Sequence, residues 1–284
     1  MHLIQIGLVD TTGEIDPGLI RATAAALNVQ VARDVAPFWP VHASVSVLPD
    51  ARHIPPGVWP VRLVADLPPP EGGFHLTRHN QPFAKVKATP ASDHWTMEAS
   101  HEVIEMLVDP SGNRLKASRS IEIVKGRIQD GPGEFEYLVE ACDPCESAQC
   151  AYSIQGIAVS DFITPHFYDP LPTPGTRYSY TGALTAPRQI APGGYITWLD
   201  PHSQEWRQLQ NFDPATGPAI VDLGLDSATS MRTWIHARMH SKGHGRPAAQ
   251  AATPPQRGAP LFEAAEQRLA FIGDSGLTRA RNYL

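Results

Sequence analysis

Apolar positions open the chain as a short block and then recur at helical spacing, which predicts a strand followed by a helix. Leu3 to Val9 is mostly apolar and closes at Asp10, as a buried strand does. Asp16-Pro17 is a cap and first-turn pair, and residues 19–35 behind it are Ala-rich with apolar positions on one helical face. Alternating or β-branched runs follow at 42–48, 61–67 and 83–88, divided by Pro55-Pro56-Gly57 and Pro68-Pro69-Pro70, and read as strands of one sheet. A second helix is predicted from Asp93 to Val108, stopped by Asp109-Pro110 because a residue before proline disfavours the helical region. The order to this point is β-α-β-β-β-α.

The pattern then loosens. Residues 120–128 and 135–141 are extended or short helical pieces on either side of a turn at Asp130-Gly131-Pro132-Gly133. Short strands at 152–159, 193–199 and 206–210 lie among loops, and no internal repeat is present. Residues 241–260 are poor in apolar side chains and rich in Pro, Gly, Ala and Gln, which predicts a flexible linker, and 261–272 has the pattern of a short amphipathic helix. The expected organisation is an α+β domain over 1–170, a loop- and strand-rich extension packed on it over 171–240, and a flexible tail over 241–284.

Composition narrows the function classes. With 284 residues and 42% hydrophobic content the chain can bury a sizeable core. A net charge of -6 and only 18% charged residues give no basic field for nucleic acid or an anionic membrane, so neither is expected as a partner. No apolar run approaches the roughly 18–20 residues that span a bilayer, and the start reads as a first strand rather than a secretory signal. Cys142, Cys145 and Cys150 crowd into one window and do not form a disulfide framework, so a reducing, cytoplasmic location is the expectation. Only Pro110, Pro132 and Pro144 of the 28 prolines fall between residues 91 and 164, which leaves the second helix in the least interrupted part of the chain.

That helix carries the chemistry. On a helical wheel Glu98, His101, Glu102, Glu105 and Asp109 share an arc of roughly 100°, while apolar residues fill most of the remainder. A helix this apolar is expected to be buried, and like charges at i,i+4 and buried unpaired charges both destabilise it. A solvated face paired with Lys or Arg is the ordinary explanation, but neither residue occurs between 88 and 113. A divalent metal ion answers the need more simply: His101 and Glu105 stand one turn apart on one face, and Glu102 sits where a metal-bound water would be. We assign His101 and Glu105 as ligands and Glu102 as general base. For a third ligand we assign Glu140, with Asp143 orienting His101; the reverse assignment is the alternative. Asp109 lies about 12 Å from His101 along a straight helix, too far to share an ion, and is expected to cap or orient.

The segment from Ser100 to Pro110, with Val139-Glu140-Ala141-Cys142-Asp143 about thirty residues later, resembles a group of bacterial and phage-associated proteins read as zincin-like metallopeptidases. The shared pattern is H-E-x-x-E, an Asp-Pro at the helix end and a later Glu-x-x-Asp, and Gly156 to Phe162 is similar too; the resemblance covers roughly residues 75–170. It implies a zincin-like α+β fold, a twisted mixed sheet packed on two helices with the metal on the second, holding Zn2+ or another divalent ion. It also implies a peptide or protein substrate. Carboxylate in place of the second imidazole makes the site harder and weakens the ion's Lewis acidity. A non-catalytic, metal-stabilised binding module, phage-associated, is therefore the second reading, and a carboxylate acid/base pair without metal is the third.

Other features weigh less. Tyr152, His166 and Tyr168 are the available donors for an oxyanion, with no spacing that singles one out. The C-x2-C-x4-C run lacks a fourth ligand and is expected to pack or pair locally. His236, His240 and His244 lie in a basic, glycine-interrupted tail and are expected to be solvated, and His75 and His79 to be structural.

Overall fold

In the computed structural model, residues 3–67, 72–213 and 215–225 are described. The linker expected at 241–260, the helix at 261–272 and the tail histidines His236, His240 and His244 lie outside them. The described residues form a mixed α+β structure built on two five-stranded sheets, a two-stranded hairpin and two α-helices.

The first sheet is organised around β1 (Ile4–Asp10), which pairs in parallel with β2 (Ala43–Val47) on one side and β3 (Val58–Val64) on the other. Ile6, Leu8 and Val9 are all buried, the near-continuous apolar run of a strand covered on both faces. Helix α1 (Pro17–Val29) makes the crossover, started by the Asp16 side chain accepting from Gly18 N at 2.9 Å and by Pro17 in the first turn. It runs on into a π-helical turn at Gln30–Val35. There Gln30 donates to the Tyr152 hydroxyl and the Ser160 carbonyl and accepts from Ser100 Oγ at 2.7 Å, which ties the first helix to the second.

The sheet is completed by β4 (Gly73–Arg78) and β5 (Gln81–Lys87), in the order β2-β1-β3-β5-β4, with β4 the antiparallel edge. The left-handed pair His79 and Asn80, at φ 51° and 62°, makes the tight turn between them. Strand β4 is absent from the sequence expectation. Its inward positions are Gly73 and His75, so it lacks the alternating apolar residues that announce a strand. Helix α2 (Trp95–Val108) follows β5, and every one of its residues is buried. Among the described residues no helix is long and apolar enough to cross a membrane.

The second sheet begins with the hairpin of β6 (Leu115–Val124) and β7 (Arg127–Leu138). Its turn is Lys125-Gly126, both left-handed, rather than Asp130-Gly131-Pro132-Gly133. The latter forms an irregularity within β7, opposite Ser120, where Gly133 N donates to Ser120 Oγ at 3.0 Å. After the small hairpin of β8 (Tyr152–Ile154) and β9 (Ile157–Val159), the sheet resumes with β10 (Tyr195–Leu199), β11 (Glu205–Gln210) and β12 (Ala219–Leu225). The order is β12-β11-β10-β7-β6, so strands from both sides of residue 170 build it. One apolar cluster reaches from Ile6 through α2 to Leu209 and joins the two sheets.

Candidate metal centre

Helix α2 presents its charged strip to β4 on one side and, on the other, to the chain leaving β7. The donors fall into two groups that share Glu105: His101, Glu105 and Asp143 form one, and His75, Glu102 and Glu105 the other. In the first, His101 Nε2 lies 3.3 Å from Glu105 Oε1 and 3.1 Å from Asp143 Oδ1. In the second, His75 Nδ1 lies 3.1 Å from Glu102 Oε2 and 3.5 Å from Glu105 Oε2. Ligands about 2.0 Å from a tetrahedral ion stand roughly 3.3 Å apart, so both spacings fit a divalent cation. All five side chains are buried, none more than 2% exposed.

Local structure explains this convergence. The one-turn spacing of α2 stacks His101 over Glu105. Asp143 sits in a short 3-10 turn at Asp143–Cys145, held from three directions. Cys142 N donates to Glu105 Oε1 at 3.1 Å, Ile163 N to the Ala141 carbonyl at 2.7 Å, and Ala191 N to the Pro144 carbonyl at 2.8 Å. Gly194 lets the chain before β10 lie against this turn: a Cβ there would stand 2.5 Å from the Pro144 carbonyl oxygen and 2.8 Å from that of Asp143. On the other side β4 approaches α2 closely because Gly73 has no side chain; a Cβ would meet Glu102 Oε1 at 2.8 Å.

The electrostatics favour a cation. Burial disfavours the charged form of His101, but the carboxylate of Glu105, with contributions from Cys142 and Asp143, outweighs it and holds the imidazole well above its ordinary range. A site that attracts a proton this strongly attracts a metal ion for the same reason. Among the described residues, His101 Nε2 is buried without a well-formed hydrogen bond despite its two carboxylate neighbours, and His75 Nε2 without a partner. Unsatisfied buried imidazole nitrogens are costly, and for His101 that nitrogen faces the donor group itself. The residues therefore fit a divalent ion.

The remaining expected residues separate. Glu140 is buried but belongs to neither donor group. Its charge acts instead on Tyr168: burial and then Glu140 push that phenol well above its usual range, with Asp143 adding to the effect. Asp109 is a helix cap, its carboxylate accepting from Asn113 N at 3.1 Å and Arg114 N at 2.7 Å. Glu98 lies 3.3 Å from His94. Of the three oxyanion candidates, Tyr152 donates to Asp34 at 2.8 Å and His166 is exposed beside Asp169, which leaves Tyr168 as the one near the carboxylates. The three cysteines are free and buried, and burial raises their thiols, that of Cys150 to about 12, so they pack as small apolar groups.

His75, expected from the sequence to be structural, is brought by β4 into the second candidate donor group. No family model matches the sequence, and neither a curated protein nor a solved structure shows significant similarity to the chain.

Proposed function

We propose that the chain is a metal-dependent hydrolase of zincin-like fold that cleaves peptide bonds in a peptide or protein substrate. Zn2+ or another divalent ion is held by His101, Glu105 and Asp143, with Glu102 as general base. The observation that carries this reading is the place of Glu102. It follows the ligand His101 on α2, stays outside the first donor group, and is oriented by His75 at 3.1 Å. The ion, when bound, supplies Lewis acidity and lowers the pKa of water. Glu102 accepts the proton that a water gives up and passes it on to the leaving amine. Asp143 takes the ligand position in preference to Glu140 because its carboxylate meets His101 directly, whereas Glu140 acts on Tyr168. Tyr168 is the donor best placed for a developing oxyanion.

Two features support the fold and substrate class. A sheet with helices packed on it and the donor strip on the second helix is the arrangement the zincin resemblance implies. The edge strand β4 also runs beside the site, and an extended peptide can add to a sheet edge through main-chain hydrogen bonds.

The second reading, a non-catalytic module with a structural ion, draws on one observation: all the donor side chains are nearly fully buried, as in closed structural sites. Glu102→Gln separates the two. The hydrolase reading expects the Zn2+-loaded protein to cleave a fluorogenic peptide library and the variant to lose about 100-fold or more of that rate, with the ion at His101 retained. Metal bound by the wild type without turnover supports the module instead.

A further inference from the structure

The two donor groups do not merge into one. Glu105 is the member the two groups share, and each of its oxygens meets a different imidazole: Oε1 lies 3.3 Å from His101 Nε2 and Oε2 3.5 Å from His75 Nδ1. Each imidazole brings a separate carboxylate, Asp143 with His101 and Glu102 with His75. A single ion centred on either imidazole leaves the other group's donors together without one. The three carboxylates of the combined cluster also carry more negative charge than one divalent cation neutralises, in a region where unneutralised charge is expensive.

We infer that the cluster holds two divalent ions, one at His101, Glu105 and Asp143 and a second at His75, Glu102 and Glu105, with the Glu105 carboxylate bridging them. The inference rests on the hydrolase reading for its first ion and extends it. Hydrolytic centres with paired ions place them about 3.5–4 Å apart, a separation that the two oxygens of one carboxylate span. Imidazole and carboxylate together suit Zn2+ or Mn2+. His75 has a defined part here. It reaches the cluster from a different element, the edge strand β4, and its Nδ1 faces two carboxylate oxygens at 3.1 and 3.5 Å in a fully enclosed setting. Gly73, two residues earlier, leaves room for the Glu102 carboxylate beside it. Glu102 is then a ligand of the second ion through Oε2, so its loss removes an ion as well as a base.

The test is a Zn2+ titration of the full chain after chelator treatment, checked by elemental analysis. It uses a background of His236→Ala, His240→Ala and His244→Ala so that the tail contributes no sites. Two equivalents are expected for this protein, and one each for His75→Ala, Glu102→Gln and His101→Ala. Mn2+ loading gives a spin-coupled pair by electron paramagnetic resonance in the parent and an isolated ion in each variant. His75→Gln, with circular dichroism to verify folding, replaces His75→Ala if the latter does not fold. A single equivalent that is lost in His101→Ala and untouched in the His75 and Glu102 variants overturns the second ion while leaving the hydrolase reading intact. No bound metal overturns both. Two ions without peptide turnover uphold the pair and overturn the hydrolase.

Discussion

Asp161 shows how burial acts on a carboxylate faced by protein donors. The Thr181 hydroxyl donates to it at 2.7 Å, and the backbone N–H groups of Thr181 and Phe162 each at 2.9 Å. Burial still outweighs these bonds and pushes the group up to about 6 from an ordinary 3.8. The native state thus holds this proton more tightly than the unfolded chain does. The stabilisation is complete below the unfolded pKa and is lost as pH rises through the native one. A shift of this size corresponds to about 2 kcal/mol lost between pH 4 and pH 7. Asp161→Asn removes that slope, so the variant should gain about 2 kcal/mol relative to wild type over the same range, read from urea midpoints. A stability difference that does not change with pH contradicts it. At this scale the shared, buried face of His101, Glu102 and Glu105 was legible from sequence, because one helical turn brings them together on a helix otherwise too apolar to be exposed. The choice between Glu140 and Asp143 was not legible. Both follow β7 within three residues, and only the short 3-10 turn decides which carboxylate meets His101.

Among the elements, the turn carrying Asp143 depends on the chain packed behind it. At Gly194 an added methyl would press on backbone carbonyls, which cannot swing away as a side-chain tip can. Gly194→Ala is therefore expected to cost about 1–3 kcal/mol of stability and to weaken Zn2+ binding at the His101 group, measured by thermal melting and by titration. Wild-type affinity in a folded variant would show that the turn does not set the site. Helix α2 was readable with its end at Asp109-Pro110. Strand β4 was hidden because the residues it turns inward are a glycine, which makes room for Glu102, and a histidine, which faces the carboxylates. The close approach to α2 and the contact with its carboxylates displaced the apolar alternation by which strands are recognised. The Asp130-Gly131-Pro132-Gly133 stretch misled in the opposite sense, since its turn-forming residues shape a bulge inside β7 instead of ending it.

Across the whole molecule, α2 lies within the apolar cluster that joins both sheets, so a charge left uncompensated on its strip weighs on the fold as a unit. Metal bound to the native state alone stabilises it by mass action, about 2.7 kcal/mol at a free concentration one hundred times Kd. For a domain of this size that amounts to roughly 5–10 °C in Tm. Chelation is expected to lower the melting temperature by this amount and Zn2+ to restore it; a transition indifferent to both would show that the cluster holds no ion. Sheet order was beyond the sequence, because β6 and β7 join β10 to β12 across an intervening hairpin, and composition carries no trace of that pairing.

The central claim, a divalent ion on α2, is tested most directly by elemental analysis of the purified full chain beside His101→Ala. The account predicts stoichiometric metal in the native protein and the loss of one equivalent in the folded variant. A native protein without metal, or a metal content that His101→Ala leaves unchanged, would contradict it.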